Sequence, residues 1–124
     1  SYIPIINEND TVATDEIKFG DNDKLAALTA SLLDVDLLII ATNTNGIYTK
    51  KSFKDEKPKT IKNVTNIDEI VSSKSTHGSG GMGSKIEAAF ISKKANIETW
   101  IVNGLEDNFI TNAFENKIPF TKIK

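Results

Sequence analysis

The chain has 124 residues, of which 26% are charged and 39% hydrophobic, and its net charge is −2 at pH 7. This composition is that of a globular domain. The slight acidic excess argues against a nucleic acid or an anionic membrane as partner, because both are bound through strongly basic surfaces. The absence of cysteine excludes disulfides and thiolate metal sites, and it favours a reducing, cytoplasmic location. The longest apolar run, residues 35–41, is too short to cross a bilayer.

The first third of the chain predicts a strand, a loop and a helix. Residues 3–6 are apolar but include Pro4, which lacks an N–H, so they predict the end or the edge of a strand. Polar residues 7–11 are typical of a loop, and residues 12–19 alternate loosely, as in one arm of a hairpin. Residues 23–33 predict a helix, because Asp and Asn suit its start and leucines recur at helical spacing. The leucines that share one face are Leu25, Leu28 and Leu32.

The rest of the chain alternates strand and helix patterns. Strands are predicted at residues 37–41, 98–102 and 119–123, and helices at 66–71, 84–95 and 107–114. Ser84 and Glu87 have the spacing of a capping box, which predicts that their helix begins at Ser84. Residues 47–60 are polar and rich in lysine, which predicts an exposed excursion. This order favours an α/β fold with a mainly parallel sheet and helices on both faces.

A glycine-rich stretch at residues 78–83 precedes one predicted helix. Gly78, Gly80 and Gly83 match the spacing of a dinucleotide fingerprint, but the polar residues before them do not resemble a strand. The stretch is not a Walker A loop, because Ile86 follows Lys85 where Ser or Thr is needed. A lysine near a helix N-terminus is unfavourable unless an anion binds there, so the pattern predicts a phosphate site. The alternative is a flexible linker ahead of a capped helix.

Two clusters of carboxylates and amides occupy residues 7–10 and 21–23. If residues 12–19 fold back as a hairpin, both clusters lie at one end of the sheet. They suit an amino acid or a divalent cation, although Asp and Asn are also common in plain turns. Thr42 and Asn43 follow a predicted buried strand, where open α/β sheets bind ligands, but they also suit a β-turn.

Several kinds of catalysis have no residues to support them. The chain has no cysteine nucleophile and a single histidine, His77, which we interpret as a solvated loop residue. We interpret Trp100 as a core or interface aromatic. Phosphoryl transfer to a carboxylate needs no general base, because a carboxylate with a pKa near 4.3 is already ionised at pH 7. Such a site must align two anions and neutralise their repulsion, for which lysines, backbone amides and Mg²⁺ suffice.

Three segments together carry a resemblance to a known family: residues 5–14 (IINENDTVAT), 19–25 (FGDNDKL) and 78–85 (GSGGMGSK). At this spacing they resemble the glutamate 5-kinase branch of the amino acid kinase family. The resemblance implies an amino acid kinase-like sandwich, of which residues 1–124 are the C-terminal half and a partial domain. It implies a glutamate-binding hairpin at 1–23, a nucleotide-binding part at 37–104 and no additional domain. The family's N-terminal half carries a second lysine and another glycine loop, so we expect the isolated chain to be incomplete and inactive.

The resemblance also implies an activity and its residues. The reaction is the ATP- and Mg²⁺-dependent phosphorylation of the L-glutamate side chain to glutamyl 5-phosphate, the first step of proline biosynthesis, in a cytoplasmic homo-oligomer inhibited by proline. Lys85 stabilises the transferring phosphoryl group, and Asp23 orients the catalytic lysines. Substrate contacts are expected from Asp10, Asn22, Asn7 and Asp21. Nucleotide contacts are expected from Thr42, Asn43, Ser79, Gly80, Gly81, Met82, Gly83, Ser84 and Lys85, with Asn43 standing where the family usually has Asp.

Two other functions remain open at this point. One is a non-catalytic amino-acid-binding or dimerisation module of the same fold, which would not respond to ATP. The other is a Rossmann-type dinucleotide-binding enzyme, which requires a strand directly before Gly78.

Overall fold

The computed structural model describes residues 2–7, 21–49, 52, 54–66 and 82–124. Within these ranges the elements are α1 (Asp21–Leu33), β1 (Leu37–Thr42), β2 (Asn63–Val64), α2 (Met82–Lys94), β3 (Glu98–Asn103), α3 (Phe109–Phe114) and β4 (Thr121–Ile123). The three strands predicted at 37–41, 98–102 and 119–123 are present. The two-residue strand β2 was not predicted, because so short a strand leaves no alternating pattern. The hairpin arm at 12–19 and most of the helix at 66–71 lie outside the described residues.

The strands form one sheet in the order β1-β3-β4-β2. β1 and β3 are parallel, with Leu37 opposite Glu98 and Thr42 opposite Asn103. β2 and β4 are also parallel, whereas β3 and β4 are antiparallel. The α/β fold with a mainly parallel sheet is therefore confirmed, with one antiparallel junction between two parallel pairs.

Side chains that alternate along β3 divide the core between the two faces of the sheet. Ile101 packs with Ile86 and Ala89 of α2 on one face. Trp100 packs on the other face with Ala113 of α3, and its ring lies 4.7 Å from that of Phe114. Helices thus cover both faces, and Trp100 is a core aromatic as predicted. None of the helices in the described ranges has the length and apolarity needed to cross a membrane.

Each of the three described helices ends in the same local structure. Asp34, Asn96 and Asn116 follow α1, α2 and α3, and their φ angles are positive, at 54°, 61° and 56°. After α1, the Asp34 amide donates to the Ser31 carbonyl and the next amide donates to Ala30. The same pair of hydrogen bonds follows α2 and α3. This is the Schellman motif, which an Asp or Asn tolerates better than other residues with a Cβ.

Two sequence predictions about the N-terminal region are wrong. Residues 2–7 form neither strand nor helix, and Ile3 and Ile5 are exposed. A strand needs a neighbouring edge to satisfy its backbone, and Pro4 removes one donor from this segment. The leucine face of α1 is not a core face among the described residues, because Leu28 and Leu32 are 52% and 85% exposed.

The structure also differs from two further sequence predictions, because tertiary contacts that local patterns do not record decide both. α2 begins at Met82, two residues before Ser84, so Ser84 is not the N-cap of a capping box. The excursion at 47–60 is only partly exposed, because Ile47 and Ser52 are buried and an antiparallel bridge joins Tyr48 to Thr60. Among the described residues of this excursion, 54–57 and Lys59 are exposed.

Thr121 ties the loop after β1 to the strand β4. Its buried hydroxyl accepts a hydrogen bond from the Ile47 amide at 2.8 Å and donates one to the Ile61 carbonyl at 2.6 Å. Gly46 has a φ of +90°, and a Cβ there would lie 2.8 Å from the Thr121 amide nitrogen. Only glycine therefore allows this close approach without strain.

We expect Thr121→Val to lower the free energy of unfolding by about 1–3 kcal/mol, because it leaves a buried donor and a buried acceptor without a partner. Chemical denaturation monitored by circular dichroism measures this change. Thr121→Ser keeps the hydroxyl and is the matched control, with a smaller loss. Equal losses in the two variants would show that the methyl group, and not the hydroxyl, stabilises this loop.

Candidate functional site

A carboxylate on one helix contacts two side chains on another. The Asp23 Oδ2 atom accepts a hydrogen bond from Ser84 Oγ at 2.9 Å and lies 3.0 Å from Lys85 Nζ. Asp23 lies in the first turn of α1, and the other two residues lie in the first turn of α2, 61 and 62 positions further along the chain. The structure thus brings together two segments that the sequence singled out separately.

The contact is largely removed from solvent. The side chains of Lys85 and Asp23 are only 13% and 14% exposed. A carboxylate near a helix N-terminus is stabilised by the helix dipole, whereas a lysine there is not. Asp23 therefore supplies the anion that Lys85 needs in this position, and it holds the ammonium group in a defined place.

The topology places this pair beside the carboxyl ends of the parallel strands β1 and β3. α1 leads directly into β1 and α2 into β3, so each helix runs back along its strand. A helix of 13 residues rises about 20 Å and a strand of 6 residues spans a similar length. The first turns of the helices are therefore level with the carboxyl ends of the strands, where Thr42 and Asn103 lie.

Amide side chains link the two strand ends. Asn103 Nδ2 donates to Asn45 Oδ1 at 3.0 Å, and the Gly104 amide donates to the Thr42 carbonyl at 2.8 Å. A Cβ at Gly104 would lie 2.9 Å from the Cβ of Ala41, so this approach also depends on glycine. Sequence reasoning did not name Asn45 or Asn103 as site residues. Their position directly after predicted buried strands, the argument used for Thr42, is the signal that points to them.

The other predicted site residues are distributed as follows. Thr42 is half-buried and Asn43 is exposed, both at the end of β1. Met82 is buried and Gly83 is exposed, and both lie in α2 ahead of Ser84.

Asn22 and Asp21 lie in the first turn of α1, and Asn7 is exposed in the segment 2–7. Asp10, Ser79, Gly80, Gly81 and His77 lie outside the described residues. The arrangement of the glycine loop and of the first acidic cluster therefore stays a prediction.

Across the ranges that the structure describes, no group of three or more His, Cys, Asp or Glu side chains could hold a metal ion. Among the described residues, Asp23 is the carboxylate that contacts Lys85, and its Oδ2 atom is already shared by two donors. Magnesium is commonly bound through one or two carboxylates together with phosphate oxygens and water. The donor set therefore fits a magnesium ion carried by nucleotide phosphates better than a metal cage built from protein groups.

The fold and the site define an α/β domain that collects a lysine, a carboxylate, hydroxyls and amides at the carboxyl ends of its parallel strands. Comparison with known sequences assigns this domain more closely. The chain belongs to the amino acid kinase family, whose sequence profile matches residues 1–103.

Curated relatives named glutamate 5-kinase match nearly the whole chain. The one from Aliivibrio fischeri is 43% identical over 98% of this chain, and the one from Alkaliphilus oremlandii is 40% identical over 96%. This chain covers 34% of the first relative and 47% of the second. The chain therefore spans between a third and a half of the length of these relatives.

Solved structures of similar fold include the carbamate kinase from Giardia lamblia bound to AMP-PNP, with a TM-score of 0.63, 22% identity and coverage of 83% of this chain and 31% of that one. The N-acetylglutamate synthase from Neisseria gonorrhoeae, complexed with coenzyme A and L-arginine, has a TM-score of 0.66 and 18% identity, over 82% of this chain and 23% of that one. At these identities the likeness establishes the fold alone.

A double-mutant cycle on Asp23→Asn and Lys85→Met tests the strength of the contact. We expect a coupling free energy of about 1–3 kcal/mol, because the two side chains form a mostly buried ion pair whose direct attraction is lost when either one is replaced. Denaturant unfolding of the four proteins measures it.

The pair Lys24–Glu87 provides a matched control, since it joins the same two helices at 4.0 Å with side chains 56% and 65% exposed. Its cycle should give about 0–0.5 kcal/mol. Equal coupling in the two cycles would contradict a special role for burial at Asp23.

Proposed function

We propose that this chain supplies one half of the active site of an ATP-dependent kinase that phosphorylates the side-chain carboxylate of L-glutamate. The product is glutamyl 5-phosphate, the first intermediate of proline biosynthesis. The observation that carries the proposal is the contact of Asp23 with Ser84 and Lys85, because it joins two of the three motifs that carry the resemblance to the glutamate 5-kinases. The names of the relatives at 40% and 43% identity support the same activity. They do not favour the dinucleotide enzyme or the non-catalytic module.

Phosphoryl transfer from ATP to the glutamate carboxylate requires that the two anions be aligned and that their repulsion be neutralised. The glutamate side chain is ionised at neutral pH, so no residue has to remove a proton from it. Lys85 neutralises charge on the phosphoryl group as it moves between two anions, and such electrostatic stabilisation is usually the largest catalytic term. Asp23 keeps the Lys85 ammonium in place and is a positioning residue in this scheme. A magnesium ion, when bound with the nucleotide, would neutralise further phosphate charge.

The nucleotide is assigned to the edge where β1 and β3 end. Thr42 and Asn43 contact it from the end of β1. The glycine segment with Ser79, Gly80, Gly81, Met82, Gly83 and Ser84 wraps its phosphates, which fits the ability of backbone N–H groups to bind phosphate oxygens. Asn45 and Asn103 hold the two strand ends together beneath it.

The amino acid is assigned to the two acidic clusters. Asp10, Asn7, Asn22 and Asp21 bind its ammonium and carboxylate groups. We assign the glutamate hairpin to residues 1–23 and the nucleotide part to residues 37–104. A cytoplasmic homo-oligomer that is inhibited by proline at the glutamate site completes the proposal.

Two surface features support a requirement for a companion half of the domain. β1 is apolar on both faces, since Ile39 packs towards α3 and Ile40 packs towards α1, yet among the described residues β1 pairs only with β3. Strands buried on both faces are typical of the interior of a parallel sheet, and an open edge on such a strand invites pairing. The exposed leucine face of α1, including Leu28 and Leu32, also lacks a covering layer in this part of the chain.

The kinase proposal is tested by combining this chain with the rest of the domain of a relative. We expect this chain alone to be inactive, and a chimera in which it replaces the matching region of the Aliivibrio fischeri relative to be active. Glutamate-dependent release of ADP, with hydroxylamine trapping of the acyl phosphate, measures the activity. In the chimera, Lys85→Met should lower kcat at least about 100-fold. Lys24→Met, a change to an exposed lysine on α1, is the control and should leave kcat unchanged. Full activity of the chain alone, or a well-folded chimera without activity, would overturn the proposal.

A charged side chain on the leucine face of α1 would prevent a companion half from packing against that face. We expect Leu28→Glu to abolish activation when this chain is mixed with the N-terminal half of the relative's kinase domain, while the thermal unfolding of the chain alone is unchanged. Ile110→Glu places the same charge on α3, at the other face of the sheet, and should leave activation intact. The assay is ADP release as a function of the concentration of the added half. Activation that survives Leu28→Glu would show that this face stays exposed in the assembled enzyme.

A further inference from the structure

A cleft with a volume of about 350 Å³ lies between the start of β2 and the start of β4. Lys62 and Asn63 line it on one side, and Asn116 and Lys117 line it on the other. Lys122 and Phe120 contribute from β4 and the residue before it. None of its lining residues carries a carboxylate, so the cleft is cationic while the chain as a whole has a net charge of −2.

Lys122 is held in a defined position in this cleft. Its backbone amide donates to the Lys62 carbonyl at 2.9 Å, which anchors the strand. Its Nζ atom lies 5.0 Å from the centroid of the Trp100 ring and 5.4 Å from that of Phe120. Both distances are within the range of a cation–π interaction, so two buried aromatic rings orient the ammonium group. A lysine that is already ordered loses less entropy when it binds an anion.

The other two lysines that line the cleft differ in how far their positive charge is neutralised. Lys117 is paired with the Glu115 carboxylate at 2.6 Å, and both side chains are exposed, so its charge is partly neutralised. Lys62 is exposed directly before β2 and also lines the cleft. The excess positive charge in the cleft therefore comes from Lys62 and Lys122, and the amides of Asn63 and Asn116 add neutral donors.

The cleft is separate from the site of Lys85. α2 packs on the face of the sheet that carries Ile101 and Ile123. Lys122 alternates with Ile123 along β4 and lies over Trp100, so it belongs to the opposite face, where α3 packs. An anion in the cleft is therefore on the other side of the sheet from the proposed kinase site.

We propose that this cleft is a second anion site that binds a phosphorylated small molecule, with Lys122 and Lys62 on its phosphate group. Two ammonium groups and two amides supply donors for several phosphate oxygens. The volume of the cleft is at the lower end of the range of small-molecule pockets, which leaves room for a phosphate and a small organic group. The site goes beyond the proposed kinase activity and does not depend on it.

The single tryptophan of the chain reports on this cleft, because Lys122 lies over its ring. We expect pyrophosphate and phenyl phosphate, titrated at constant ionic strength, to change the Trp100 fluorescence with saturation. Inorganic phosphate should bind more weakly than phenyl phosphate if the organic group also occupies the cleft. Glutarate, a dianion without phosphate, should bind more weakly than any of these.

Single substitutions test which lysines are responsible for the change in Trp100 fluorescence. Lys122→Gln and Lys62→Gln should each weaken binding at least tenfold, measured by calorimetry as well as by fluorescence because the first change also alters the surroundings of Trp100. Lys122→Arg keeps the charge and should bind almost normally. Lys54→Gln, at an exposed lysine outside the cleft, and Lys85→Met should leave the binding midpoint unchanged. Loss of the response in Lys85→Met, an unchanged midpoint in the two cleft variants, or equal binding of glutarate would overturn the assignment.

Discussion

Close packing of α1 against α2 is the constraint on which the site depends. Ala27 of α1 and Ala88 of α2 are fully buried and share one cluster with Ile40 of β1. Side chains of one carbon allow two helix backbones to approach, and larger ones would push them apart. Asp23 lies one turn before Ala27, and Lys85 lies about one turn before Ala88, so the helix contact continues into the ion pair. The register set by the alanines therefore decides that the Asp23 carboxylate reaches Lys85 and Ser84.

The direction of the chain turns this contact into a site at one edge of the sheet. Both helices precede parallel strands, so their N-terminal turns lie beside the strand ends that carry Thr42 and Asn103. Partial positive charge from two helix N-termini and the full charge of Lys85 meet there, and Asp23 is the carboxylate that contacts Lys85. Helix N-termini and a lysine are groups that bind phosphate oxygens, in keeping with the proposed nucleotide site. The same arrangement explains how Asp23 and Lys85, which are 62 positions apart in sequence, come into contact.

The two outer strands of the sheet, β1 and β2, form lateral edges that differ in polarity. At the β1 edge, apolar side chains and an unpaired strand edge within the described residues suit another layer of protein. At the β2 edge, lysines and amides surround a cleft that suits a small anion. Since β3 and β4 separate these edges, the proposed companion half and the proposed anion would contact different surfaces of the domain. Trp100 and Ile101, on opposite faces of β3, connect the two sides of the sheet.

Local pattern was enough to predict the α/β class, the strand at 37–41, the strand at 98–102 and the helices beside them, because burial imposes a period on the residues within one element. It also predicted a phosphate site at the helix N-terminus beside Lys85, which stays a prediction. The anion that contacts Lys85 in the structure is the Asp23 carboxylate. The resemblance pointed to Asp23 as the residue that orients the lysines, and the tertiary structure showed its contact with Lys85, 62 positions away. Only the tertiary structure decided that the alanines and not the leucines of α1 face the described core, and that Lys122 joins a cationic cleft. The reason is physical: a side chain records its own preference for water or for an apolar interior, whereas its partner is set by how helices and strands pack in space.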